Sequence, residues 1–183
     1  MTELNFDFTQ GATRGDIVRQ LKESLGDDAW AVLENKAQEA GVPERHHHDI
    51  AEVDAAIDAL AVSEQVRADL HAVYAILAEA EAQAHGCPVE QTHFHEVGEG
   101  ARIRNTLLIC LAFDALGADR VTATPVQTGS GQVTVAHGVM DVPTPATAAI
   151  LATGIPVCAE KLEGELCTPT SAAIIKHFVD AFV

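Results

Sequence analysis

The chain has 183 residues, enough for one domain, or one domain with a small appendage. Hydrophobic residues make up 48% and aromatics only 4%, so the core has to be built from Ala, Val, Leu and Ile. A net charge of −16 repels phosphate backbones and excludes nucleic acid as a partner, whereas an acidic chain with nine histidines suits cations.

Four cysteines, Cys87, Cys110, Cys158 and Cys167, show no CxxC spacing, so neither a disulfide framework nor a zinc knuckle is read from them. The first residues, Met1-Thr2-Glu3-Leu4-Asn5, carry neither a basic region nor an apolar h-region. The longest apolar run, Thr106 to Phe113, is too short to span a bilayer. The expectation is a cytoplasmic protein with reduced thiols and no membrane partner.

In chain order, Leu4 to Phe8 reads as a short strand. The turn Gly11-Ala12-Thr13-Arg14-Gly15 leads to Asp16, the expected cap of a helix ending at Leu25. A second helix runs from Asp27 to about residue 40 and stops at Gly41-Val42-Pro43. Residues 44 to 48 are polar and rich in His. Two periodic helices follow. One spans Asp49 to Leu60, with Ile50, Val53, Ile57 and Leu60 on one face. The other spans Glu64 to His85, with Val66, Leu70, Val73, Leu77 and Ala80 on its face, Ser63 as cap, and Gly86 and Pro88 closing it. Ile103 to Leu116 is largely apolar and predicts a mostly buried helix. Arg120 to Val126, Gln132 to Ala136 and Ile155 to Cys158 read as strands. Pro145 opens a short helix behind Thr144, and Pro169 to Phe182 is the last helix, capped by Thr168. The fold class is therefore α/β, or α+β, with a mainly helical part over 1–90 and a small sheet with packed helices over 91–183, in a single domain.

Five segments could carry chemistry. His93-Phe94-His95-Glu96 puts two imidazoles and a carboxylate within four positions at a junction between elements. In an extended backbone His93 and His95 share a side. Neutral imidazoles suit Zn, Cu, Fe and Ni, and Glu96 is a candidate ligand, base or outer partner. His46-His47-His48, followed by Asp49, could gather a soft divalent cation. His137 sits at a strand end beside Gly138, which lets backbone approach a ligand. Thr168, Thr170 and Ser171 converge at the start of the last helix, a natural anion site. Asp7 and Asp16 flank a Gly-rich turn and could hold a hard cation; no Lys-Ser/Thr follows, so the turn is not a P-loop. For each segment a purely structural reading, as capping group, turn or solvated loop, stays open. His71, His85 and His177 read as ordinary helix residues.

These segments carry a resemblance. The stretch Ala78 to Gly86, then His93-Phe94-His95-Glu96-Val97-Gly98, Gly129-Ser130-Gly131, His137-Gly138, Pro143-Thr144-Pro145-Ala146-Thr147 and Gly164-Glu165-Leu166-Cys167-Thr168-Pro169-Thr170 fall in the order and spacing of the LarC family. These are nickel-insertion proteins of the lactate racemase maturation system. The resemblance runs from about residue 45 to the C-terminus, with Phe6-Asp7 and Gly15-Asp16 similar to the family's N-terminal motif. It implies insertion of Ni(II) into a pyridinium bisthiocarboxylate mononucleotide, coupled to CTP hydrolysis. The residue inventory fits that chemistry: His93, His95, His137, His46, His47 and His48 are the candidate Ni(II) ligands, and Thr168, Thr170 and Ser130 the candidate contacts for the nucleotide-like precursor. Glu96 and Asp16 are the candidate catalytic acids.

The chain departs from the family at several points, among them Arg14 in the N-terminal motif where a small residue is usual. The family's C-terminal domain is not expected within these residues, so CTP with Mg or Mn is expected only where a partner supplies it. The segment between the Gly-Asp turn and the His cluster is short, and apolar surface left there is expected to favour a homo-oligomer. Ala101 and Asn105 stand where acidic residues are usual, beside Arg102 and Arg104. Two other readings stay open: a non-catalytic metal-binding or regulatory subunit of the same lineage, and an unrelated small-molecule enzyme using His93, His95 and Glu96 as acid and base.

Overall fold

The computed structural model describes residues 1–183, and its chain contacts divide into two compact units, Met1–Arg19 with Ala118–Val183 and Gln20–Gly117. The observed class is mixed α and β, as the sequence predicts.

In the first unit, β1 (Glu3–Phe6) pairs in parallel with β2 (Arg120–Ala123), with Leu4 opposite Val121 and Phe6 opposite Ala123. β1 alternates exposed and buried residues, the period-two pattern of a strand covered on one face. The alternation continues to Phe8, whose ring stacks on Phe6 at 5.3 Å between centroids. Thus the chain's first strand belongs to the same sheet as elements more than a hundred residues later, which periodicity alone could not assign. Gly129–Ser130 is β3, and Gln132–Val135 and Gly138–Asp141 form the antiparallel hairpin β4–β5. α6 (Pro145–Leu151) packs against α7 (Pro169–Phe178), whose Ala172, Ala173, Ile174 and Ile175 are buried. β6 (Gly164–Glu165) pairs with β3, and β7 (Ala181–Phe182) completes the sheet in the order β1-β2-β7.

Three expectations change here. Ile155 to Cys158 makes only one parallel bridge, Val126 to Val157, because Pro156 has no N–H to donate to a ladder. β5 continues from a turn that reads as loop because of Gly138. The last helix ends at Phe178, and Ala181 and Phe182 leave it to join β2.

α1 (Arg14–Leu25) begins in the first unit and ends in the second. The second unit continues with α2 (Asp27–Glu39), α3 (Ile50–Asp58), α4 (Glu64–His85) and α5 (Gly100–Leu116). α5 packs on α2 and α4, and α3 packs on α4. Trp30, Leu33, Val53, Ile57, Leu70, Val73, Leu77, Ile103 and Leu107 form its core. α4 matches its predicted bounds, with Ser63 Oγ accepting from the Val66 N–H and Gly86 ending it in the left-handed region at φ 66°. α5 starts three residues earlier than the apolar pattern predicts. No helix is long and apolar enough to cross a membrane.

Candidate functional site

Within the second unit, two His-bearing segments are knitted together. The His47 N–H donates to the Gly98 carbonyl at 2.8 Å, the Phe94 N–H to the His48 carbonyl at 2.7 Å, and the Gly100 N–H to the Arg45 carbonyl at 2.9 Å. This close approach demands glycine. A Cβ at Gly98 would stand 2.0 Å from the His47 carbonyl oxygen, and one at Gly100 would stand 2.2 Å from that of Pro43. The Val97-Gly98-Glu99-Gly100 run is therefore a strap that lets Arg45 to His48 lie flat against it.

Side-chain alternation sorts the histidines. Burial alternates from Thr92 to His95: Thr92 and Phe94 are buried while His93 and His95 are exposed. In the facing segment His47 is buried while His46 is half-buried and His48 exposed. His46 and His48 share a face, their Nδ1 atoms 3.1 Å apart, and the His46 Nε2–H donates to the His95 carbonyl at 2.7 Å. His47 serves the other face. Its Nδ1–H donates to the Gly98 carbonyl at 3.0 Å, and its buried Nε2 has no partner. The triple-His run thus does not act as one cluster, and no group of three or more His, Cys, Asp or Glu side chains is arranged to hold a metal ion.

The strap is anchored from α3, α4 and α5. Asp49 caps α3 by accepting from the Glu52 N–H, and Glu52 Oε2 reaches back to the His48 N–H at 2.7 Å. This is a capping box displaced by one residue, legible in the sequence as Asp49-x-x-Glu52. The His48 N–H, with the Arg45 guanidinium beside it, holds the Glu52 carboxyl below the usual carboxylate range. The buried Tyr74 hydroxyl donates to the Val97 carbonyl at 2.8 Å, and its ring meets Phe94 edge-on at 6.0 Å. Burial pushes the Tyr74 phenol upward, so it stays a donor. The Glu96 carboxylate lies 3.7 Å from the Arg102 guanidinium, and Glu44 pairs with Arg104. Tyr74, Glu52, Gly98 and Arg102 are site-building residues that reading the His motifs alone misses.

The first unit holds the other candidates. Asp16 is the third residue of α1 rather than its cap. Thr13 Oγ1 accepts from the Asp16 N–H at 3.3 Å, and Asp16 Oδ2 accepts from the Thr13 N–H at 3.0 Å and from its hydroxyl at 2.7 Å. α7 starts the same way, with Thr168 and Ser171 forming a reciprocal capping box. Backbone joins the two starts, the Ala12 N–H donating to the Leu166 carbonyl at 2.7 Å. The box on α7 engages the Thr168 hydroxyl, and Pro169 has no N–H, which leaves the Thr170 N–H as the first-turn donor outside the box. Ser130 Oγ donates to the Leu162 carbonyl at 2.8 Å. Asp7 turns on itself, its Oδ1 accepting the N–H and hydroxyl of Thr9, which together hold its carboxyl below the ordinary range. His137 is exposed at the β4–β5 turn. Burial pushes the Cys167 thiol up to about 11, so it is no ready thiolate ligand.

A family model described as "Nickel insertion protein" matches residues 10–183. The chain is 40% identical over 136 residues to a pyridinium-3,5-bisthiocarboxylic acid mononucleotide nickel insertion protein of Desulfitobacterium hafniense, covering 74% of this chain and 34% of that protein. It is 40% identical over 131 residues to the protein of that name from Staphylococcus saprophyticus, covering 72% and 33%. The one from Staphylococcus epidermidis is 36% identical over 137 residues, covering 75% and 34%. The matches span about a third of the length of these relatives. No solved structure matches the chain.

Proposed function

We propose that this chain, which belongs to the nickel insertion protein family, holds Ni(II) at the histidine strap of its second unit and passes it to a pyridinium bisthiocarboxylate mononucleotide. The observation that carries the reading is the His46 to His95 hydrogen bond. It joins two segments 49 residues apart, one carrying the paired His46 and His48 rings and the other the exposed His93 and His95. Neutral imidazoles bind Ni(II) without adding charge, and thiocarboxylate sulfurs are softer donors that can take the cation over. The handover is ligand exchange, with nickel divalent throughout.

The rest of the reaction falls outside this chain's share of the relatives' length. CTP use, with Mg or Mn, belongs in this reading to the unmatched two thirds, carried on a partner chain or on more of the same polypeptide. Thr170 and its neighbours at the start of α7 remain the candidate contact for the precursor's phosphate. A subunit that only stores or senses nickel is the second reading, favoured by the lack of a three-ligand cage. Acid–base chemistry through Glu96 is weaker, because Arg102 already compensates that carboxylate.

The test is single-turnover transfer. Metal-free protein is loaded with one equivalent of Ni(II), passed over a desalting column and mixed with the thiocarboxylate precursor. The reading predicts a nickel-containing product by mass spectrometry at a rate above that of free Ni(II) at equal concentration. Nickel that stays on the protein supports the storage reading instead.

A further inference from the structure

An imidazole offers a metal whichever ring nitrogen carries no proton. At His46 the choice is fixed. Its Nε2 lies 2.7 Å from a carbonyl oxygen, which only accepts, so Nε2 carries the proton and Nδ1 of the neutral ring presents a lone pair. An imidazole N–H held by a backbone carbonyl is also the arrangement that orients metal-bound histidines. The second ring, His48, brings its own Nδ1 to 3.1 Å from that lone pair. The rings are inclined at 67°, so they meet by their edges rather than by stacking.

That separation has a coordination meaning. Metal–imidazole bonds of about 2.0–2.1 Å place two nitrogens about 2.9 Å apart at a right angle and about 3.4 Å apart at a tetrahedral angle. The observed 3.1 Å falls between these, corresponding to an angle of about 98° at the ion. We propose that His46 and His48 chelate a divalent first-row cation through their two Nδ1 atoms, as a cis pair that leaves its other coordination positions open. The choice of Ni(II) as the cation rests on the reading above; the site rests on geometry alone.

Binding exchanges one N–H···N hydrogen bond for two metal–nitrogen bonds. The His48 proton moves through water to its exposed Nε2, and two coordinated waters leave the ion. No redox change is involved. His47 contributes nothing to this pair, because its ring is buried on the opposite face. With no third His, Cys, Asp or Glu side chain arranged with them, water or the incoming sulfur ligands complete the shell. Such a site releases its ion more easily than a closed four-ligand cage, which suits a cation held for transfer.

The experiment is calorimetric titration of the metal-free full chain with NiCl2 in a non-coordinating buffer, for wild type, His46→Ala, His48→Ala, the double variant and His177→Ala. Circular dichroism checks each fold. The chelate predicts one equivalent bound by wild type. Loss of either member of the pair weakens it at least about tenfold, and His177→Ala, on α7, leaves it within about threefold. His48 is exposed, so His48→Ala keeps the test alive if the His46 variant unfolds. Nickel X-ray absorption on wild type should show two imidazole nitrogens, falling to one in His48→Ala. Wild-type affinity in a folded double variant, or no binding by wild type, overturns the chelate. If the pair binds nickel but no transfer to the precursor occurs, the nickel-insertion reading fails and the chelate stands. Transfer that persists with affinity unchanged by both substitutions gives the reverse.

Discussion

The histidine strap of the second unit and the paired helix starts of the first are both rich in polar groups, yet they use them oppositely. At the starts of α1 and α7 the hydroxyls and the Asp16 carboxylate close capping boxes on their own backbone. In the strap the backbone groups satisfy one another across two segments, and the imidazoles of His46 and His48 are left to face each other at the surface. A motif can therefore be chemically suggestive and still be spent on structure. What separates the two cases is whether a backbone partner has already used the donor.

The largest effect should come from breaking the strap itself. Gly98→Ala puts a Cβ into the His47 carbonyl and should cost about 3 kcal/mol in chemical denaturation, with loss of nickel binding. Wild-type stability in that variant would mean the two segments need not touch. Next, His47→Ala removes a buried ring and its bond to the Gly98 carbonyl, and should cost about 2 kcal/mol, while His48→Ala changes stability by less than about 0.5 kcal/mol. Equal costs would erase the distinction between the buried and exposed faces. Thr168→Ala removes one cap and should cost about 1 kcal/mol with nickel affinity untouched. Thermal shifts with added phosphate sharpen the comparison, since an anion site there would raise the wild-type melting temperature but not that of the variant.

The smallest effect concerns pH. The folded-state pKa of Glu52 lies below its ordinary value of 4.5, so its stabilising contribution is full above that value and is lost as pH falls through the folded pKa. Glu52→Gln should therefore lower stability slightly at neutral pH and flatten the acid side of the curve, so that the two proteins converge below the folded pKa of Glu52. An unchanged acid limb would show that the His48 N–H does not hold this carboxylate in solution.

Much of this was legible before the fold was seen. α4 follows from one long apolar stripe between Ser63 and Gly86, signals that act within a few residues. The start of α7 follows from Thr168-Pro169 for the same reason. The HFHE and triple-His segments were also visible as candidates. Their division of labour was not, because it depends on pairing segments that are distant in sequence. His47 looks identical to His46 and His48 in a string of letters, and only the strand alternation against Gly98 buries it. β7 and the placement of β1 in the same sheet escaped for the same reason: a two-residue strand has no period, and its partner lies far along the chain.

The most direct test of the account is anomalous diffraction at the nickel absorption edge from crystals of the metal-free chain soaked in NiCl2. The account predicts a single strong peak bridging the Nδ1 atoms of His46 and His48, with the His46 Nε2 still bonded to the His95 carbonyl. A peak at His137 or at the start of α7, with none on the strap, would contradict it.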